Sequence, residues 1–370
     1  RTVTLNATNA AGDSIEREQR VHGASRDSWL TAGRDANRTG STPATPISPP
    51  VAEKWRSGIG FMRENTPTRS GDTVYATTGE AVHALNAQTG SERWNYSANL
   101  TWVTSAVVAD GSVYVGSENG SLYALDSETG AVEWSRSVAT SIHAAPTIRN
   151  GMVYVVGGEN PDSSVYQLDA ETGAVGWSYG EYISTSLAVT NDSVYAISSN
   201  YRGYVVALRP SSGTVRWSTL DRVRVDSHTS ITVYNDSLYV NSGGGLRALD
   251  TETGGIQWTH STNSASSTAA VANGTVYTRS TTVPYGEDLD ASVRALDAET
   301  GTVRWNNTLN GGLTTGIAIV NGTVYVASLA GSDNVHGLNA ATGEVRWTYS
   351  TATDPSTGIA AVNNTVYVGD

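Results

Sequence analysis

Few side chains in this sequence are equipped for bond-making chemistry, and their spacing sorts them into two groups. His143 and His228 stand at similar places in the third and fifth stretches of an internal repeat. Imidazoles so placed can contact an anionic ligand or hold a metal, and they can equally be two hydrated histidines of a channel. Arg63, Glu64, Tyr182 and Asp226 fall at the same stage of other stretches, as does Trp102. Trp102 lies outside the regular pattern, where an indole can stack a planar ligand or simply pack. The second group is Glu287, Asp288 and Asp290. Three carboxylates suit Ca²⁺, which takes oxygen ligands, but the spacing is not that of an EF-hand. Cysteine is absent, which excludes disulfides, thiolate nucleophiles and Cys-ligated metals. Lys54 is the single lysine, so Schiff-base chemistry has little to work with. No Gly-x-Ser-x-Gly elbow, His-Glu-x-x-His pair or Walker loop occurs. No catalytic residue is therefore assigned.

The elements that must position these residues come from the repeat. A Thr/Ser-Gly pair, three intervening residues and a Trp recur at Trp94, Trp134, Trp177, Trp217, Trp258, Trp305 and Trp347. Trp55 lacks the Thr-Gly but keeps the distance, and successive spacings are 39, 40, 43, 40, 41, 47 and 42. Between each pair lies a turn leading into a β-branched residue and Tyr, as in Asp110-Gly111-Ser112-Val113-Tyr114. Asn-Gly and Asp-Gly accept the positive φ of a two-residue hairpin. One unit reads as strand A near Ser105–Ala109, B at Val113–Gly116, C at Leu122–Leu125 and D around Trp134. Asp126 caps the C–D turn and Gly130 supplies its left-handed residue. Four antiparallel strands repeated radially make a propeller.

The expected fold is all-β, an eight-bladed propeller over residues 51–370. Trp55 would supply strand D of the eighth blade beside the C-terminal strands, sealing the sheet edge. The third strand of that blade would come from the leader, for instance Thr2–Ala7, or be missing from this chain. Each strand-D Trp is assigned a structural role, sealing one blade against the next. Residues 1–50 lack the repeat. Thr2–Val21 reads as the end of a preceding immunoglobulin-like module, and Thr42–Pro50 as an extended Pro-rich connector.

The net charge is −12, with 35 acidic and 23 basic residues, 22 of them Arg. A lysine-poor acidic chain points to salt adaptation, although GC-rich codon use has the same effect on Lys. No basic patch favours nucleic acid. No apolar run has the ~18 residues of a membrane span. The chain starts without Met or a signal peptide, as a mature product or an excised fragment would.

The unit from Gly111 to Trp134, GSVYVGSENGSLYALDSETGAVEW, closely resembles the pyrroloquinoline quinone (PQQ)-like propeller repeat. The resemblance covers about residues 29–370. The leader Trp29…Gly33-Arg34-Asp35…Thr39-Gly40 is similar to the segment before such propellers in haloarchaeal proteins. One branch of the family comprises PQQ-dependent alcohol and sugar dehydrogenases, and the other is non-catalytic and includes BamB-like docking scaffolds. The missing cysteines, the modest length and the lack of a catalytic Asp with Ca²⁺ partners depart from the first branch. PQQ and Ca²⁺ are not firmly implied.

Differences among the repeats locate a binding face. A–B and C–D turns share one face of the ring and are nearly uniform. B–C loops share the other face with the D–A loops and differ in every unit. Loops on a rigid scaffold carry recognition, so the B–C/D–A face is expected to take a protein partner or a small ligand. His83 and His336 replace the strand-C Tyr and are read as structural. Eleven Asn-x-Ser/Thr sequons, Asn95, Asn99, Asn119 and Asn321 among them, several of them in hairpin turns, suit an exported protein but are weak evidence alone. The expected function is a non-catalytic, extracytoplasmic, monomeric binding scaffold. The alternatives are a PQQ/Ca²⁺ oxidoreductase on the variable face and the sensor domain of a larger receptor.

Overall fold

The computed structural model describes residues 2–8, 14–20, 41–42, 51–60, 65–97, 100–159, 162–183, 187–198, 203–219, 230–242, 245–261, 269–282, 290–310, 312–313, 316–329, 334–351, 355, 358–362 and 365–369. Seven consecutive meanders form a ring of four-stranded antiparallel blades. Blade 1 runs Thr68–Ser70, Thr73–Thr77, Val82–Asn86, Glu92–Tyr96, and blade 2 runs Val107–Ala109, Ser112–Gly116, Ser121–Asp126, Val132–Ser137. Blades 3 to 6 begin at Thr147, Ala188, Ser230 and Ala270. Blade 7 is Ala318–Val320, Thr323–Leu329, Asn334–Asn339, Val345–Ser350.

Local chemistry explains each blade. The A–B turn places Asp110, Asn150, Asn235, Asn273 and Asn321 at φ between 35° and 52°, and Asp and Asn tolerate that region best among side-chain-bearing residues. In the C–D turn Asp126 Oδ1 accepts from the Glu128 and Thr129 amides and the Thr129 hydroxyl, at 3.2, 2.8 and 2.6 Å. A bulge then shifts the register between Ala124 and Leu125, and the same shift recurs in all seven blades. The bulged residue is re-aimed. Arg93, Arg216 and Arg304 thus reach the hydroxyls of Thr73, Ser193 and Thr275, at or just before the start of strand B in their blades.

Neighbouring blades lock through the tryptophans. Trp94 Nε1 donates to the Ser127 carbonyl of blade 2 at 3.1 Å, and Trp134 Nε1 to the Ala170 carbonyl of blade 3 at 3.0 Å. Trp177, Trp217, Trp258 and Trp305 repeat the bond. Each indole lies flat on the turn glycine of the next blade, so a Cβ at Gly130 would sit 2.6 Å from Trp94. A strand-B tyrosine braces each indole, with centroids 5.8–6.1 Å apart from Tyr75–Trp94 to Tyr325–Trp347. Such pairs add about 0.5–1.5 kcal/mol beyond their buried area. Burial pushes the Tyr114 hydroxyl up to about 12, so it stays a donor.

The blade count corrects the expectation of eight. Among the described residues the last repeat forms a two-stranded sheet, Ala360–Val362 with Thr365–Tyr367. Residues 51–60 carry no strand, so Trp55 lies in no blade. Thr2–Thr8 does not supply a third strand either: it pairs with Ser14–Arg20 in a hairpin of its own. Trp55 still reaches both sides of the seam. Its ring stands 6.0 Å from Tyr367 and its Nε1 donates to the Ala87 carbonyl of blade 1 at 3.1 Å. One apolar cluster joins blade 7, the hairpin and blade 1 through Trp347, Val362, Tyr367 and Leu85. A further feature absent from the repeat pattern is the segment Ser41–Thr42, which pairs in parallel with Ile319–Val320 on the inner edge of blade 7.

Candidate functional site

The B–C/D–A face is built by loops that fold back onto the ends of the B strands. Val103 bridges Ser117, Ile142 bridges Gly157 and Ile183 bridges Ser198. Hydroxyls pin the first of these loops. Ser117 Oγ accepts from the Thr101 amide at 3.0 Å and donates to the Thr101 carbonyl at 2.8 Å, and Thr104 Oγ1 accepts from the Gly116 amide at 3.0 Å. The anchoring forces two bulky residues into the left-handed region, Trp102 at φ 44° and Tyr182 at φ 55°, each just before a bridge. Positive φ is a true outlier for side chains of this size. Trp102 is also 50 % exposed, the most exposed large apolar side chain among the described residues.

Beside it stands a carboxylate–imidazole pair. The Glu118 amide donates to the Thr101 carbonyl at 2.8 Å, which sets Glu118 next to Trp102. His143 Nδ1 lies 3.6 Å from Glu118 Oε1, joining the blade 2 turn to the loop that enters blade 3. Both groups are exposed, so their attraction is worth only about 0–1 kcal/mol and leaves them open to exchange partners. A second cluster surrounds Tyr182. Tyr204 donates to Glu181 Oε2 at 3.2 Å, and Ser198 Oγ to the Glu181 carbonyl at 2.6 Å. Burial raises the Tyr179 hydroxyl well above the ordinary phenol range, with Tyr204 and Glu181 adding to the shift.

A family model described as outer membrane protein assembly factor BamB matches residues 79–287 and 289–370. The chain belongs to the BamB-like PQQ propeller family. Solved structures with the same fold include a quinohemoprotein alcohol dehydrogenase from Comamonas testosteroni, 16 % identical, with a TM-score of 0.76 over 93 % of this chain and 77 % of that one. BamB from Moraxella catarrhalis is 24 % identical, with a TM-score of 0.66 over 84 % of this chain and 92 % of that one. The computationally designed protein Ika8 is 14 % identical, with a TM-score of 0.72 over 86 % and 96 % of the two chains. At such identities the likeness is one of fold. No curated protein matches the chain.

In this BamB-like propeller Trp102 and His143 border one patch, linked by Glu118. Tyr182 takes the position of Trp102 two blades further on. Arg63, Glu64, Asp226 and His228 lie outside the described residues, as do Glu287 and Asp288. Asp290 opens the third strand of blade 6, paired with Thr282 and Asn310. Among the described residues no three His, Cys, Asp or Glu side chains come together as a metal site. The Ca²⁺ of the alternative quinone reading is therefore assigned no donors among the described residues. His83 meets Glu92 at 2.8 Å, and His336 is buried between Ser328 and Thr348. Glu118 carried no signal in the sequence, because it occupies an ordinary turn of a regular unit. Its distinction arises only from the neighbours that the ring supplies.

Proposed function

We propose that this chain is a binding scaffold that works outside the cytoplasm and receives a protein partner or small ligand on the Trp102–Glu118–His143 patch. The observation that carries the reading is Trp102 itself. A half-exposed indole held at φ 44° is strained, and such strain persists where a surface is used. Trp is also the residue type that most often anchors an interface. With Glu118 alongside and a net charge of −12, the patch suits a partner that presents cationic or planar groups.

Photo-cross-linking tests this. A photoreactive residue replaces Trp102, or Asp110 on the opposite face, and the protein is irradiated in its native extract at matched salt. A discrete adduct at position 102 and none at 110 supports the reading. Adducts at 110 alone, or turnover of an alcohol that requires PQQ, would overturn it.

A further inference from the structure

The inner strand of each of the first six blades ends its sheet, so among the described residues no strand pairs with the edge it turns to the central channel. Blade 7 differs. Ser41–Thr42 adds a parallel strand there, in register Ile319 with Ser41 and Val320 with Thr42, and reaches the inner strand of blade 6 as well. Thr42 precedes Pro43, which biases it toward extended backbone. Further along, the same stretch of chain grips the outer rim of the ring. Lys54 Nζ donates to the Ala87 carbonyl at 3.2 Å and to Gln88 Oε1 at 2.7 Å, and Trp55 Nε1 donates to the Ala87 carbonyl at 3.1 Å. Trp55 and Ile59 also pack on the apolar cluster that joins blade 7 to blade 1. We propose that residues 41–60 act as a strap, with an inner end that obstructs the channel beside blades 6 and 7 and an outer end that clamps the seam. The device does not depend on the loop-face patch.

The inner end needs the outer one. A pairing of two residues is marginal on its own, but a tethered segment meets its site at high effective concentration. The bonds of Lys54 and Trp55 thus keep Ser41–Thr42 in place. The reach fits, since a four-stranded blade is about 15 Å across and the stretch from Thr42 to Val51 can extend about 30 Å. Ile319–Val320 immediately precedes the Asn321–Gly322 turn, so the added strand sits at the end of the channel opposite the B–C/D–A loops. A ligand entering the channel of the strapped ring comes from the loop face, and loosening the seam frees the other end.

Hydrogen exchange on the full chain tests the strap. Val320 and Thr323 flank a two-residue turn and close that hairpin, so Ile319 turns its amide to the inner edge. Val108 and Ile148 hold the same place in blades 2 and 3, where no strand is added. Corrected for intrinsic rates, the Ile319 amide should exchange about tenfold or more slowly than those two. Ser41→Pro with Thr42→Pro removes both amide donors of the added strand and should erase that difference, with the strand-B amides of blade 7 unchanged as the control for global unfolding. Lys54→Met with Trp55→Phe removes the three outer bonds and should lose the same protection. If that pair misfolds, the proline pair and the parent still decide. Equal exchange at Ile319, Val108 and Ile148 in the parent overturns the proposal, as does protection that survives the proline pair. Protection untouched by the outer pair would show that the two ends act independently, and would also overturn it.

Discussion

Tyr75 and Trp94 end on one acceptor: the phenol oxygen lies 3.0 Å and the indole nitrogen 3.1 Å from the Ser127 carbonyl of the next blade. Tyr114 with Trp134, Tyr195 with Trp217, Tyr239 with Trp258 and Tyr277 with Trp305 repeat the arrangement. Tyr75→Phe should cost about 0.5–1.5 kcal/mol in denaturant unfolding. Combined with Trp94→Phe, the loss should exceed the sum of the singles, because the carbonyl then loses both donors. Strict additivity would show that the two bonds act independently.

Two turn glycines separate packing from backbone freedom. Gly130 has φ 73° and touches Trp94, whereas Gly111 has φ 89° and faces open space. Gly111→Ala should cost about 1–2 kcal/mol from the left-handed backbone alone. Gly130→Ala should cost about 1–3 kcal/mol more, since the new methyl displaces the indole. Equal unfolding midpoints for the two variants would contradict the docking geometry.

Trp102→Asn should leave stability within about 1 kcal/mol of the parent, since Asn accepts positive φ and the strain relieved offsets the loss of the buried half of the indole. With the photoreactive residue placed at the neighbouring exposed Thr101, the same change should remove the adduct. A Trp102→Asn protein destabilised by clearly more would mean that the indole supports the fold and is not held for binding.

Stability should fall on mild acidification. Burial lowers the His336 pKa below its ordinary 6.5, and burial aided by Arg294 lowers that of His260. The unfolded chain therefore binds protons first, so this contribution is complete above pH 6.5 and is lost as pH drops through the folded values. His336→Gln should flatten the slope between pH 6.5 and 5, measured by unfolding midpoints. At lower pH Asp297 takes over: Arg304 and Thr300 hold it at about 2, and its contribution is lost between roughly pH 4 and that value.

Much of one blade could be read from residues alone. The unit with Asp126, Gly130 and Trp134 contains its own turns and bulge within some 30 residues, so neighbours in sequence dictate its shape. The blade count was not legible in the same way. Eight tryptophans recur, yet whether Trp55 sits in a strand depends on edge pairing across the whole chain, and the structure forms seven four-stranded blades. Nor could the Ser41–Thr42 strand be foreseen, because its pairing with Ile319–Val320 joins segments far apart in the sequence.

The candidate patch divides along the same line. Trp102 stood out because it breaks a repeat, and His143 because it holds a place in its repeat similar to that of His228. Glu118 joined them only when the D–A loops folded back on the B-strand ends. Alone, the sequence determined the hairpins, the capped turns and the tryptophan period, because those rest on φ preferences and hydrogen bonds a few residues apart. Tertiary structure decided the number of complete blades, the strain at Trp102 and the seam beside Tyr367, because each depends on which distant edges meet.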